Sequence, residues 1–227
     1  MTMQLVIGNK NYSSWSLRPW LLLRANSIPF TEVRIPLYTD TSRAQILALS
    51  PAGRVPILID EHIKVWDSLA ICEYISETRL GGAGWPIDSA ARAEARACSA
   101  EMHAGFQGLR NHMPMNCRAQ NRRIALTPEL QTEISRIDQL WSGLRDKYQR
   151  LGPWLFGKFS IADCMFAPVV FRFKTYAIEL SVDANQYMAT SLQHPAMQEW
   201  LKAAIDEEEV IRENEAGLDK PLDALLS

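Results

Sequence analysis

Apolar residues recur along the first 80 positions in two different rhythms. The run Met3-Gln4-Leu5-Val6-Ile7 predicts a largely buried strand, and Trp20-Leu21-Leu22-Leu23-Arg24-Ala25 predicts a helix. Ser16 is placed to cap that helix, with Pro19 in its first turn, where a missing N–H costs little. Asn26-Ser27-Ile28-Pro29 ends it, since asparagine tolerates a left-handed cap and proline blocks continuation. Thr31-Glu32-Val33-Arg34-Ile35 alternates polar and apolar residues and predicts a half-buried strand. Strand, helix and strand fit the length of a βαβ crossover.

Ile46, Leu47 and Leu49 predict a short, irregular helix over 41–49, broken by Ser50-Pro51-Ala52-Gly53. Ile57-Leu58-Ile59 and Ile63-Lys64-Val65-Trp66, separated by a short turn, predict an antiparallel hairpin, and Pro56 just before it is a candidate cis proline. Asp67-Ser68 then caps a helix from Leu69 to about Arg79. The predicted order is β-α-β-α-β-β-α.

Gly81-Gly82-Ala83-Gly84-Trp85-Pro86 is dense in residues that break regular structure. It predicts a linker over 81–88 between an α/β domain, 1–80, and an all-helical domain, 89–227. Ser89 to Arg110 reads as one long helix. Thr127-Pro128-Glu129 opens another, with Leu130, Ile134, Ile137, Trp141, Leu144 and Tyr148 at helical spacing. Ser160-Ile161-Ala162-Asp163 is the Asp form of a capping box ahead of an apolar helix, in which Pro168 predicts a kink. His194-Pro195 opens a last helix through Trp200 and Ile205. From Asp206 on the chain is acidic, then weakly patterned.

Composition narrows the class. In 227 residues, 47% are hydrophobic and 22% charged, enough apolar material for a packed core. A formal net charge of −2 leaves no basic surplus for a nucleic-acid partner. Cys72, Cys98, Cys117 and Cys164 form no C-x-x-C pair and match no zinc spacing, so no metal site is expected. The N-terminus carries no secretory pattern, and the apolar runs fall short of the ~20 residues of a membrane helix. A cytoplasmic protein with reduced thiols and no membrane partner is expected.

The candidate chemistry lies in the first loop, Asn9 to Trp20. Ser13 and Ser14 stand at the positive end of a helix dipole, which favours an anion by roughly 0.3–1 kcal/mol. On the loop alone, turn and cap roles for these serines remain open.

Four features in chain order resemble the cytosolic glutathione S-transferase family over about Met3 to Ile205. They are the serine loop, Val55-Pro56 before the hairpin, Asp67-Ser68, and Phe159-Ser160-Ile161-Ala162-Asp163 in a helical second half. The resemblance implies a thioredoxin-like domain followed by a helical domain, glutathione as cosubstrate with no tightly bound cofactor, and a homodimer. Ser13-Ser14-Trp15-Ser16 is most similar to the Ser-Ser-Cys-Ser loop of the zeta class, which includes maleylacetoacetate isomerase.

On that match Ser13 activates the glutathione thiol, with Ser14 as a second hydroxyl or the alternative. Val55, beside a cis Pro56, meets the cysteinyl unit with its backbone, Asp67 and Ser68 meet the γ-glutamyl end, and Arg54 and Trp15 are further glutathione-binding positions. Trp15 replaces the loop cysteine, so mixed-disulfide chemistry is not implied, and its ring is expected to pack a hydrophobic electrophile. His103, Arg110, Met113, Met115 and Asn116 are expected near the second substrate. Three activities follow from the resemblance. The first is glutathione conjugation of a hydrophobic electrophile. The second is glutathione-dependent isomerisation of a maleyl-type diacid, with Arg18 and Arg110 as cationic candidates. The third is glutathione or ligand binding with little turnover.

Overall fold

The alternation on the first strand decides how the N-terminal half is layered. In the computed structural model, which describes residues 3–218, β1 (Gln4–Ile7) turns Leu5 and Ile7 to one face and Val6 to the other. Leu5 and Ile7 join the main core with α1 (Ser14–Ala25) and α3 (Ser68–Arg79). Val6 joins a smaller cluster with Ile35, Ile46 of α2 (Ser42–Leu49) and Ile57. A strand covered on both faces needs apolar residues on both, which is why this run does not alternate.

The sheet order is β2 (Thr31–Arg34), β1, β3 (Ile57–Asp60), β4 (Ile63–Trp66). β1 pairs parallel with β2 and antiparallel with β3, and the β3–β4 hairpin runs in register from Ile57↔Trp66 to Asp60↔Ile63. The predicted order β-α-β-α-β-β-α is therefore observed, and the Val55–Pro56 bond is cis.

The helical half comprises α4 (Ser89–Ala104), α5 (Gln107–His112), α6 (Pro128–Tyr148), α7 (Ile161–Thr175), α8 (Val182–Gln193) and α9 (Pro195–Ile205). α7 is buried along almost its whole length and packs against both α1 and α4. It thereby fixes the loop before α1 relative to the helical half. Its cap is the predicted box: Asp163 accepts from the N–H of Ser160 and of Leu155 and from the Ser160 hydroxyl. Burial pushes its carboxyl up to about 6 despite those bonds. The helix passes Pro168 without interruption.

Three local expectations need correction. α1 begins at Ser14, so Ser13 holds the cap position, Pro19 lies a turn deeper than expected, and Ser16 is inside the helix. Three serines among four residues make the cap ambiguous from sequence. The stretch 89–110 is two helices, because Gly105 and Phe106 (φ 59°) break it. A Cβ on Gly105 would meet the Glu101 carbonyl at 2.9 Å. α8 was not anticipated, since its buried stripe is only Ala184, Tyr187 and Ser191.

After α9 the chain runs back through a short 3-10 turn at Arg212–Asn214. Residues 219–227 of the expected helical domain, and residues 1–2, lie outside the described residues. All four cysteines are free and buried. Among the described residues no helix is long and apolar enough to cross a membrane.

Candidate active site

Two adjoining cavities open beside the Ser13 loop and share Trp15, Arg54 and Val55 as lining. Their volumes, 510 and 560 Å³, suit small ligands.

The smaller cavity is built on the start of α3, with Pro56, Asp67, Ser68 and His103 in its wall. Asp67 takes φ 76° and caps the helix, its Oδ1 accepting the N–H of Leu69 (2.9 Å) and Ala70 (3.2 Å). His103, reaching across from α4, places Nε2 3.0 Å from Oδ2. Burial works to raise the Asp67 carboxyl, but His103 and the two N–H groups bring it below its ordinary value.

Behind this wall lies Arg18, fully buried, with Nη1 3.3 Å from the Ser68 hydroxyl and 3.5 Å from His103 Nδ1. With its proton on Nε2, His103 accepts from Arg18 and donates to Asp67, linking a buried cation to the carboxylate. Burial, then the charges of Arg110 and Arg172, lower the Arg18 pKa to about 9. Its Nε has no partner among the described residues.

The larger cavity is lined by Ser13 and Ser14 together with Arg43, Arg54, Arg110 and Arg172, and among the described residues no carboxylate lines it. Arg110 closes the C-terminus of α4, donating Nε to the Gly105 carbonyl (3.0 Å) and Nη2 to the carbonyls of Met102 and His103. Arg172 is 5% exposed and gives Nε to the Met113 carbonyl at 2.7 Å. Its two terminal nitrogens bond to nothing among the described residues. Burial, with Arg110 second, lowers the Arg172 pKa to about 10. The Arg18 and Arg110 guanidinium carbons sit 4.3 and 4.6 Å from the Trp15 ring centroid, and the His103 ring meets its edge.

The two serines differ. Ser13 donates its hydroxyl to Ser16 Oγ at 2.7 Å, and Ser16 Oγ also accepts the Gly8 N–H. The Ser14 hydroxyl makes no hydrogen bond among the described residues. Tyr12, the phenol on the loop, is committed elsewhere: it donates to Glu215 at 2.6 Å and accepts from Arg118 at 2.8 Å.

The structure thus gathers Ser13, Ser14, Trp15, Arg54, Val55, Pro56, Asp67, Ser68, His103 and Arg110 around one crevice. His103 belongs to the smaller cavity, not the larger. Met113 and Asn116 line neither, because the chain turns inward once α5 ends at His112. Met113 and Met115 are fully buried in the core, and Asn116 is hydrogen-bonded to Asn11 and Glu215. Arg18 lies beneath Trp15 and outside the larger cavity's lining. Sequence reasoning missed Arg172, although a lone charge between Phe171 and Phe173 in an apolar helix was a readable signal. Ile211 and Asn214, which also line the larger cavity, carried none.

Comparison with known proteins gives consistent matches. Models of the glutathione S-transferase N-terminal and C-terminal domains match residues 12–78 and 92–203. A probable maleylacetoacetate isomerase from Caenorhabditis elegans is 30% identical over 99 residues, 44% of this chain and 46% of its own length. The matched stretch therefore spans less than half of that relative. Among solved structures, a bacterial zeta-class maleyl pyruvate isomerase superposes with TM-score 0.70 at 20% identity, covering 91% of this chain and 100% of its own. A glutathione transferase homologue from Burkholderia with bound glutathione gives 0.67 at 21%, covering 91% and 99%. At these identities the superpositions speak for the fold.

Proposed function

The chain belongs to the glutathione S-transferase family, and we propose that it adds the glutathione thiolate reversibly to a carboxylate-bearing electrophile, as in cis–trans isomerisation of a maleyl-type diacid. The observation that carries this reading is Arg172: a largely buried cation whose terminal nitrogens, among the described residues, bond to nothing, in a cavity that those residues line with arginines and no acid. Only the cavity reaches this largely buried side chain, so its charge is poorly hydrated and an anionic ligand there would stabilise it.

In this reading glutathione lies in the smaller cavity. The N–H groups at the start of α3 and the Ser68 hydroxyl receive its γ-glutamyl carboxylate, Asp67 pairs with the ammonium, and Val55 offers its backbone to the cysteinyl unit. The sulfur then rests at the Ser13–Ser14 loop, where Ser13 turns its hydroxyl from Ser16 to the thiolate. Lowering a thiol from pKa ≈ 8.5 by two units needs about 2.7 kcal/mol, the scale of charge-assisted hydrogen bonds plus a helix end.

The thiolate attacks one alkene carbon, and the bonding pair moves toward the conjugated carbonyl, whose oxygen Arg172 and Arg110 face. Rotation about the resulting single bond and expulsion of the thiolate return glutathione unchanged. Residues 1–80 serve glutathione and give most of the second cavity's lining, 81–88 connect, and the helical domain, 89–227, adds Arg110, Arg172 and Ile211 to it. We expect a cytoplasmic homodimer.

Conjugation of a neutral electrophile is the second reading, favoured by Leu37, Ile46 and Ile211 in the same lining. Against it, the Trp15 ring expected to pack such a substrate is already flanked by two guanidinium groups. The test is turnover of maleylacetone against a generic aryl halide. Isomerisation without net loss of glutathione supports the proposal. Aryl halide conjugation alone replaces it with the second reading, and retention on immobilised glutathione with neither activity leaves a binding protein.

A further inference from the structure

Residues 206–217 return from α9 to the loop that carries Ser13, and two carboxylates fasten them there. Glu207 accepts the backbone N–H of Lys10 (2.7 Å) on one oxygen and of Asn11 (3.0 Å) on the other. Glu215, its side chain 5% exposed, accepts from the Tyr12 hydroxyl (2.6 Å), Asn116 Nδ2 (2.8 Å) and Arg122 Nη2 (2.5 Å). Arg118 completes the tie, donating to the carbonyls of Glu207 (2.5 Å) and Glu209 (3.0 Å) while reaching the Tyr12 oxygen. Between the two anchors, Ile211 and Asn214 face the arginine-lined cavity.

We propose that Glu215 is a positioning residue for the second-substrate cavity: it holds the C-terminal segment and, through Tyr12, the serine loop in place beside it. The proposal rests on reading that cavity as the second-substrate site. Its physical basis is geometric. Tyr12 directly precedes Ser13, and its only hydroxyl is fixed from the C-terminal segment. Removing the Glu215 carboxylate strands three donors in a buried place and frees Ile211 and Asn214 to shift. Displacement of about 1 Å in a positioning element is enough to cost two orders of magnitude in rate. The smaller cavity draws no lining from residues 206–217, so the γ-glutamyl end of glutathione is insulated from the change and only its sulfur, at the serine loop, meets it.

The experiment compares Glu215→Ala, Glu215→Gln and Tyr12→Phe, with glutathione affinity by calorimetry and maleylacetone kinetics at saturating glutathione. Glu215→Ala is expected to raise the maleylacetone KM about tenfold or more while glutathione affinity stays within about threefold. Glu215→Gln, which retains an acceptor for Tyr12, is expected to recover most of the loss. Tyr12→Phe is expected to reproduce part of it and to add nothing in the Glu215→Ala background. Hydrogen exchange at amides 10–14 is expected to quicken about tenfold in Glu215→Ala, without change in α7.

Equal losses in glutathione affinity and maleylacetone KM would mean general destabilisation and overturn the proposal. Unchanged KM and unchanged exchange would overturn it too. If the wild-type protein turns over neither maleylacetone nor an aryl halide, the functional reading fails on its own. The anchoring is then judged on exchange: lost protection at 10–14 supports it, and retained protection overturns it.

Discussion

On one side of Trp15 the crevice sets Asp67, the N–H groups of α3 and a histidine together; on the other it sets Arg43, Arg110 and Arg172 with, among the described residues, no acid in the lining. The first arrangement carries both signs of charge within a few ångströms, which suits the ammonium-and-carboxylate end of a peptide. The second carries one sign, partly buried, and suits an anion. Part of this contrast comes from how each cation is satisfied. Arg18, under the first cavity, leaves Nε unpaired but reaches Asp67 through His103, whereas Arg172, in the lining of the second, bonds only through Nε among the described residues. A polar group left unpaired in the free protein marks where a ligand is expected.

The contrast is broken most sharply at Arg172. Arg172→Gln is expected to raise the KM for a maleyl-type diacid roughly 100-fold, the worth of a charge-assisted hydrogen bond, with glutathione affinity within about threefold. A steady-state titration of each substrate checks it, and an equal effect on both would erase the division between the cavities. Next comes the loop where they meet. Ser13→Ala is expected to cut turnover about tenfold or more while glutathione binding changes much less. A larger loss from Ser14→Ala would move the role to the unengaged hydroxyl beside it.

Asp67→Asn probes the mixed-charge side. It is expected to weaken glutathione roughly tenfold by calorimetry and to spare the diacid KM. Because the folded Asp67 carboxyl lies below its ordinary value, its contribution to stability is present above about pH 4 and is lost as pH falls through the folded value. The stability gap between wild type and Asp67→Asn should therefore close in acid.

Asp163, remote from both lining sets, gives the smallest effect and the opposite sign. Its folded pKa of about 6 means the native chain holds a proton that the unfolded chain releases near pH 4. That contribution is full below about pH 4 and is lost as pH rises through 6. Asp163→Asn should flatten this slope in thermal melts between those values and leave the affinity for glutathione unchanged.

Legibility in the sequence followed locality. The hairpin, the cap at Asp67 and the box at Ser160 are each written within ten consecutive residues or fewer, so pattern alone placed them. The arginine-lined cavity draws Arg43 from α2, Arg110 from α5, Arg172 from α7 and Asn214 from beyond α9, and no short-range rule joins such positions. Asn116 shows the converse. Its place after a cleft-facing helix pointed to ligand contact, but its amide is consumed by Asn11 and Glu215. The Ala-rich run through residue 104 concealed the break at Gly105, because helix-forming residues on both sides outweighed one glycine.

The burial of all four cysteines bears on the chemistry that passes through this crevice. Burial raises the pKa of each thiol, which keeps it protonated and slow to react. With an indole at position 15 and, among the described residues, no cysteine in either lining, the crevice offers an electrophile no protein thiol that would compete with a bound glutathione. Such a catalyst would survive its own substrates.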